Sequence, residues 1–562
     1  MHSFFAVAVI LFLGAGCVSQ VQCCDGKRGK LTPKALVVMF DGLRADAAEN
    51  SGALNLRRLK EERWQDGYKC AWSLTANTIF DAPTISGPNH LAIATGVSSA
   101  KTGQQGNEPN KCDHGKWPSW LSRLVAAQPE KKAAFAYSWK WDESISPDPK
   151  VDFIYGTDAA NADRLPSLLA SSDSPDAVMW FIDWPDYGGH VYGYYPHSSG
   201  YFKTIHLSDD ALGKALDAIA SRPTFAQEDW LVIVLADHGG CVNTHGLMKG
   251  HATTIPCYVC SRYVSSGRLA ETLSDCDAAA IALEHFGIDT AGMQLDGTAA
   301  KMKTCIDEEE RILGDALAAY LPLDDKLLTN VVASSVVPVA NGDAAVDAKG
   351  GFVGGGLRLR AGTNGVASVR LTGTENLEYE HGGDFTIAFW LRASESQKGD
   401  SVILGNKSRG SASDPGMAIS SAVRVERVKE PGIGLCAGID NGGCVELAPY
   451  GIDRGKWVFY AIAKDKSGLL RFYQGGSDGY LYWISQNASG MTMDTGLPLC
   501  IGQDGAGSCQ NGFDGSFDDF ALWTRTLSHA EIRRIYEFGR LGRPLGDLLT
   551  RTSGRIDKKE NL

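Results

Sequence analysis

Three apolar runs, Ala35–Phe40, Val178–Asp183 and Leu231–Ala236, each lead into an acidic string: Asp41-Gly42, Asp186-Tyr-Gly-Gly-His190 and Asp237-His238-Gly239. Short runs rich in Val and Ile predict strands buried on both faces, as in a mostly parallel sheet covered by helices on both sides. Open sheets of that kind place their chemistry beyond the carboxyl ends of the strands. Three acids and two histidines are therefore expected to meet at one edge of the sheet. Carboxylates and imidazoles together are the donors that hold divalent metals.

The rest of the chain bounds this reading. A length of 562 residues provides for two or three domains. A net charge of −12 argues against a surface for nucleic acid or anionic membrane, though metal ions would let such a protein take an anionic substrate. Phe4–Leu13 is apolar but too short to span a bilayer, and the small residues Gly14-Ala15-Gly16 follow it. Residues 1–19 read as a signal peptide, which predicts a secreted, cell-surface or periplasmic protein; lipidation of Cys17 is the alternative. No later segment has the length and apolarity of a transmembrane helix. Fourteen cysteines suit an exported chain. The close pairs Cys436/Cys444 and Cys500/Cys509 are expected to form local disulfides, whereas Cys257-Tyr-Val-Cys260 lacks the second pair of a zinc motif. Asn406-Lys-Ser408 and Asn487-Ala-Ser489 have the form of glycosylation sequons.

From about Lys34 to Leu321 strand-like runs alternate with helical patterns, the mark of α/β organisation. One helix is expected to start at Ser208 as its cap, with Asp209 and Asp210 at the positive end of its dipole and Leu212, Leu216 and Ile219 on one apolar face. After Leu323 the texture changes. Residues 328–356 are rich in Val, Ala and Gly, and the period then becomes two. Phe385, Ile387, Phe389 and Leu391 fall on one face of a half-buried antiparallel strand. Similar strands follow at Trp457–Ala463, Leu470–Tyr473 and Phe517–Trp523, then a helix with Ser528 and Glu531 as a capping box. The organisation expected is an α/β domain at 34–325, a linker at 326–344, an all-β jelly-roll sandwich at 345–545 and a polar tail at 546–562.

The string Thr84-Ile-Ser86-Gly-Pro88-Asn89-His90 adds a nucleophile. Pro88 suits the first turn of a helix running to about Thr95, with Gly96 as its stop. Ser86 then sits at a helix N-terminus, where free N–H groups and the dipole favour an alkoxide and a bound phosphate. His90, His114 and His197 have no place in this pattern and read as structural or exposed. Tyr187, Tyr192, Tyr194 and Tyr195, beside His190, serve either as packing or as a stacking surface for a base or sugar.

Taken in order, these strings resemble the alkaline phosphatase superfamily, most closely its type I phosphodiesterase/nucleotide pyrophosphatase branch, over roughly residues 34–320. The resemblance implies two Zn²⁺ ions. Asp41, Asp237 and His238, with Ser86, match the ligands of one; Asp186, His190 and a downstream histidine match those of the other. His245, followed by Gly246, has the family's form, and His251 is the alternative. The resemblance also selects Ser86 over Thr84 as nucleophile, makes Asn89 a donor to a phosphate oxygen and Asn107 a further substrate contact. Thr102 stands where the family has a histidine. The reaction implied is double in-line displacement on a phosphodiester or nucleotide pyrophosphate through a covalent Ser86 intermediate. The rivals are a phosphomonoesterase or phosphonate hydrolase of the same superfamily, and a glycan-binding adhesion protein that keeps the metal domain as a scaffold. No Cys-x-Pro-x-Arg or Ser-x-Pro-x-Arg string surrounds Ser86, which sets the sulfatase branch aside. A second resemblance, carried by Phe385–Leu391, Phe513–Trp523 and Leu527–Ile532, is to laminin G-like, concanavalin A-like domains. It implies a polysaccharide ligand and a Ca²⁺ ion, for which Asp518 and Asp519 are the candidates unless they only cap a turn.

Overall fold

In the computed structural model of the chain, eight strands build the first sheet: β1 (Thr32–Phe40), β2 (Lys69–Asn77), β3 (Ala133–Tyr137), β4 (Val151–Tyr155), β5 (Ala177–Ile182), β6 (Glu228–Leu235), β7 (Thr254–Ser261) and β8 (Gly267–Arg268). The structure describes residues 31–549 except 79–82, 196–197, 247–249, 304, 306–311, 325–327, 361–364, 382, 398–399, 411, 425–430, 440–442, 448–453 and 477–478. The signal-peptide, Cys17 and His197 readings lie outside the described residues. The strand order is β4-β3-β5-β1-β6-β7-β2-β8. The first five are parallel, and β7 runs antiparallel to both β6 and β2. Helices pack in two groups, one containing Asp158–Ala170, Trp184–Tyr192 and Ser199–Ala220, the other Ser86–Thr95, Trp120–Ala127 and Asp277–His285.

β5, β1 and β6 are neighbours at the centre of the sheet, with Phe40 opposite Ile182 and Met39 opposite Leu235. Residues Ala35 to Phe40 are fully buried, as an apolar run without alternation requires when both faces are covered. The three acidic strings thus leave adjacent strands at one height. The helix read as starting at Ser208 starts earlier, at Ser199, with Ser198 as its cap. Ser208 lies inside it and donates to the Thr204 carbonyl. Asp209 caps a different helix, because its carboxylate accepts the N–H groups of Asn55 and Leu56 at the start of Leu54–Lys60.

The second half is a β-sandwich of two antiparallel sheets. Gly515–Trp523, Phe385–Ala393 and Val458–Lys464 lie side by side in one of them. Leu317–Leu321, which precedes the 326–344 segment, pairs with Gly515–Trp523 of that sheet. Phe385, Ile387, Phe389 and Leu391 face the sandwich core. The strand is nevertheless buried on both sides and not on one. Ala388 and Trp390 point the other way, into an apolar core shared with the α/β sheet and the helix His529–Arg540. Polar ties cross the same junction: Asn50 donates to the Leu481 carbonyl at 3.3 Å and Arg533 to Asn50 Oδ1 at 3.1 Å. The Ser528/Glu531 capping box forms as expected. Among the described residues no helix is long and apolar enough to cross a membrane.

Two local expectations are corrected. Cys436/Cys444 and Cys500/Cys509 are not bridged; the disulfide among the described residues joins Cys70 to Cys260, which face each other across β2 and β7. Cys70 and Cys260 occupy opposite positions of one register, which brings their Cβ atoms together. Asn406 is buried and donates to the Met493 carbonyl at 3.0 Å, so its sequon is not displayed; Asn487 is exposed. For Asp518 and Asp519 the contacts favour the structural alternative. Asp518 accepts the N–H groups of Phe352, Val353 and Asp519, and Asp519 accepts Tyr320 Oη–H and the Leu545 N–H, so all four oxygens serve as buried structural acceptors.

Candidate metal centre

Backbone geometry at the strand ends draws the acids together. Asp41 N–H donates to the Ile182 carbonyl at 2.9 Å, tying the end of β1 to that of β5. Gly42 follows in the left-handed region at φ 71°, and a Cβ there would lie 2.8 Å from Asp186 Cα. Only glycine permits that approach. The Gly42 and His238 N–H groups both donate to Asp237 Oδ1, at 3.0 and 2.8 Å, which fixes Asp237 between β1 and β6.

Ser86 opens the helix Ser86–Thr95, whose stop is Gly96 at φ 74°. Its Oγ lies 3.3 Å from His238 Nε2. Thr84 instead holds the loop that carries His245, because its carbonyl accepts His245 Nδ1–H at 2.7 Å and its Oγ1 accepts Gly246 N–H at 3.0 Å. Around Ser86, His238 Nε2 is 3.5 Å from Asp41 Oδ1 and 3.3 Å from Asp237 Oδ2. Beside them, His190 Nε2 is 3.4 Å from Asp186 Oδ2 and 3.1 Å from His245 Nε2. The His238 and His245 rings stack with centroids 4.0 Å apart. The structure thus brings together Asp41, Ser86, Asp186, His190, Asp237, His238 and His245.

It leaves two candidates outside. His251 is buried against Arg44, its Nδ1 2.9 Å from Nη2, where Arg44 also binds Asp46. Asn89 is fully buried, and its amide donates to the Ile85 carbonyl at 3.0 Å. It braces the turn into the helix. Asn107 keeps its place near the nucleophile, its Oδ1 accepting the Gly87 N–H at 2.9 Å. Thr102 is buried. Of the tyrosines, Tyr194 is buried with its hydroxyl on Asp186 Oδ1, while Tyr187 and Tyr192 are exposed.

The donor chemistry fits divalent cations. His190, His238 and His245 each give Nδ1–H to a backbone carbonyl, those of Asn243, Gly239 and Thr84, at 3.0, 2.9 and 2.7 Å. Each Nε2 is then left as an acceptor aimed inward, the arrangement of metal-ligating histidines. The Nε2 atoms of His190 and His245 lie 3.1 Å apart, close enough for one cation to meet both. Asp41 Oδ1 and Asp237 Oδ2 are buried acceptors without a hydrogen-bond partner, which is costly unless a cation meets them.

Proton affinities point the same way. Burial, then repulsion from Asp237 and Asp186, holds the Asp41 carboxyl well above the usual range. Burial also opposes charge on Asp237 and Asp186, yet His238 and His90 hold the first low and His190, with His238 and His245, holds the second low. Burial, reinforced by His238, pushes His245 down to about 4, whereas its bond to Asp186 raises His190 against a smaller burial effect. Acids and imidazoles so balanced are common at working sites.

Sequence reasoning missed two features. His90 is fully buried, with Nδ1 2.8 Å from Asp142 Oδ1 and Nε2 3.2 Å from Asp41 Oδ2. The signal was its position four residues after Ser86, hence on the same helix face. Trp139 and Trp141 stack with centroids 5.0 Å apart, and Trp141 lies 3.3 Å from where a Cβ on Gly87 would be.

Fold and site define an α/β protein whose adjacent strand ends carry a two-part carboxylate–histidine centre with a serine at a helix start. Residues 35–246 match the model of the type I phosphodiesterase / nucleotide pyrophosphatase family; residues 363–533 match the concanavalin A-like lectin/glucanases superfamily. The chain is 26% identical over 245 residues to ectonucleotide pyrophosphatase/phosphodiesterase family member 3 of Rattus norvegicus, covering 39% of this chain and 26% of that protein. It is 25% identical over 243 residues to bis(5'-adenosyl)-triphosphatase enpp4 of Xenopus laevis, covering 39% of this chain and 50% of that one. The chain thus spans half or less of the length of these relatives. Murine ectonucleotide pyrophosphatase / phosphodiesterase 5, in an inactive form in complex with AMP, aligns at 13% identity and a TM-score of 0.35 over 46% of this chain and 96% of that one.

Proposed function

We propose that this chain is a two-zinc phosphoric ester hydrolase that acts on phosphodiesters or nucleotide pyrophosphates with Ser86 as nucleophile. The observation that carries this reading is the set of inward Nε2 atoms and orphaned carboxylate oxygens around Ser86, whose Oγ is 3.3 Å from His238 Nε2. Asp41, Ser86, Asp237 and His238 would hold one cation, and Asp186, His190 and His245 the other. Bound there, the cations supply the Lewis acidity and positive charge that phosphoryl transfer needs.

The chain's residues supply the rest. Ser86 Oγ attacks phosphorus in line, losing its proton as the Oγ–P bond forms. The bond to the leaving alcohol or phosphate breaks, and the phosphoryl group stays as a diester of Ser86. Water then cleaves that ester, releasing a monoester and restoring the hydroxyl. The helix N-terminus at Ser86 favours negative charge on the phosphoryl oxygens. Asn107, its carbonyl engaged by Gly87 N–H, keeps its amide donors for one of them. The Trp139–Trp141 stack beside Gly87 gives the second ester group an apolar wall, which favours a diesterase over a monoesterase. Turnover of bis-p-nitrophenyl phosphate should exceed that of p-nitrophenyl phosphate and vanish with a chelator or in Ser86→Ala. Faster monoester turnover would reverse the substrate class, and activity surviving both treatments would refute the site.

Residues 1–19, the cysteine content and the Cys70–Cys260 bond support export to the cell surface, the periplasm or the medium. The sandwich is proposed to bind a polysaccharide. A cleft of about 310 Å³ lined by Asn341, Ser368, Arg370, Gln503 and Gln510 offers the polar side chains for it. The full chain should bind a glycan array and Arg370→Ala should not; equal binding by both would remove this cleft from consideration.

A further inference from the structure

His90 is a buried residue that the proposed reaction leaves without a part. Lying four positions after Ser86 on the helix Ser86–Thr95, it occupies the same face one turn deeper. That face therefore reaches the Asp41/Asp237/His238 group at two depths. Ser86 Oγ lies 3.3 Å from His238 Nε2, and His90 Nε2 lies 3.2 Å from Asp41 Oδ2 and 3.3 Å from Asp237 Oδ2. Behind the ring, Asp142 Oδ1 is 2.8 Å from Nδ1, and neither side chain is exposed. Asp142 arrives from a separate element, the 3₁₀ turn Lys140–Ser144. Phe181 and Trp139 pack edge-on against the imidazole at 4.8 and 5.7 Å, which fixes its plane.

A histidine so placed is either a cation ligand or a support for the ligands, and the carboxylate oxygens decide between them. Asp41 Oδ2 accepts from His90, which leaves Oδ1 without a partner on the side of His238. Asp237 Oδ1 is taken by two backbone N–H groups, while Oδ2 lies 3.3 Å from both His90 Nε2 and His238 Nε2. Asp41 Oδ1, Asp237 Oδ2, His238 Nε2 and Ser86 Oγ make a complete donor set without His90. His90 thus touches both carboxylates of that set while Asp142 holds its other nitrogen.

We propose that His90, held by Asp142, is a positioning residue that turns the Asp41 carboxylate so that its free oxygen meets the cation at Ser86. The inference rests on the two-cation reading above. Outer partners of this kind commonly alter metal affinity by about 10–100-fold. The test is zinc content by mass spectrometry and zinc affinity by competition with a chromogenic chelator, on the full chain. His90→Ala and Asp142→Asn should each weaken one of two zinc ions by about 10–100-fold, with unchanged circular dichroism in chelator. His90→Gln, which keeps an N–H for Asp41, should recover most of that loss. Asp142→Asn leaves the imidazole in place and decides the matter if His90→Ala does not fold. Unchanged affinity in folded variants would overturn the proposal, and so would outright loss of one zinc in His90→Gln, which would make His90 a ligand. Wild-type protein that holds no zinc would instead sink the two-cation reading itself.

Discussion

Asp41→Asn should move the chelator-treated and zinc-loaded proteins in opposite directions. The native Asp41 carboxyl is raised by burial and by repulsion from Asp237 and Asp186. The native state therefore keeps a proton that the unfolded chain has released. Stability is lost as pH climbs from the ordinary carboxyl value through the native one. Once Asp41 is charged, its oxygen and that of Asp237 lie within 4.8 Å of each other. Two like charges at that distance cost about 3 kcal/mol at an effective dielectric of about 20. The variant forfeits the charge-assisted bond from His90, roughly 1.5–3 kcal/mol. The balance is a gain of about 1 kcal/mol in chelator, or about 2–4 °C in melting temperature. With zinc at 100 times its Kd the wild type should gain about 2.7 kcal/mol, and the variant much less. Differential scanning calorimetry at about pH 5 and pH 8, with chelator and with zinc, reads both effects. At the lower pH the two proteins should differ little in chelator. A variant that melts lower in chelator at the higher pH, or that gains as much from zinc as the wild type, would refute the reasoning.

Three further outcomes follow from the same geometry. Because the native His245 is depressed to about 4, the native state binds fewer protons than the unfolded chain below the ordinary histidine value of about 6.5, so stability should fall as pH drops from there towards 4. His245→Gln should remove up to about 3 kcal/mol of that fall in chelator, read from urea midpoints; an unchanged pH profile would contradict the burial of this imidazole. His251→Ala should lower the melting temperature by breaking the contact with Arg44, yet retain the full zinc content by mass spectrometry. Trp390→Ala removes a ring stacked on Phe352 at 3.9 Å within the core shared by both halves, and should cost about 3–5 kcal/mol. The loss should appear in guanidinium unfolding followed on both halves, not on the sandwich alone.

Much of the α/β half was legible because its signals are local. Runs without alternation mark strands covered on both faces, and Asp41, Asp186 and Asp237 follow such runs directly. Pro88 and Gly96 bracket the helix that begins at Ser86. What stayed hidden depends on contacts between distant segments. Asp142 reaches His90 across fifty-two positions, and no spacing in the sequence announces it. The string around Asn89 does not announce that its amide folds back onto the Ile85 carbonyl. Ser208 looked like a cap because Asp-Asp follows it, while the true cap, Ser198, lies ten positions earlier and Asp209 serves another helix. Trp390 read as solvent-facing by its period of two. Its outer face is covered by residues from the other half of the chain, which periodicity cannot reveal.

Two cations are proposed to sit side by side at the ends of β1, β5 and β6 with Ser86 between them. Anomalous diffraction at the zinc edge from crystals of the zinc-loaded full chain tests this proposal most directly. Two peaks are expected, one contacted by Asp41, Ser86, Asp237 and His238, the other by Asp186, His190 and His245. A single peak, or one held by His251 or Asn89, would contradict the proposal.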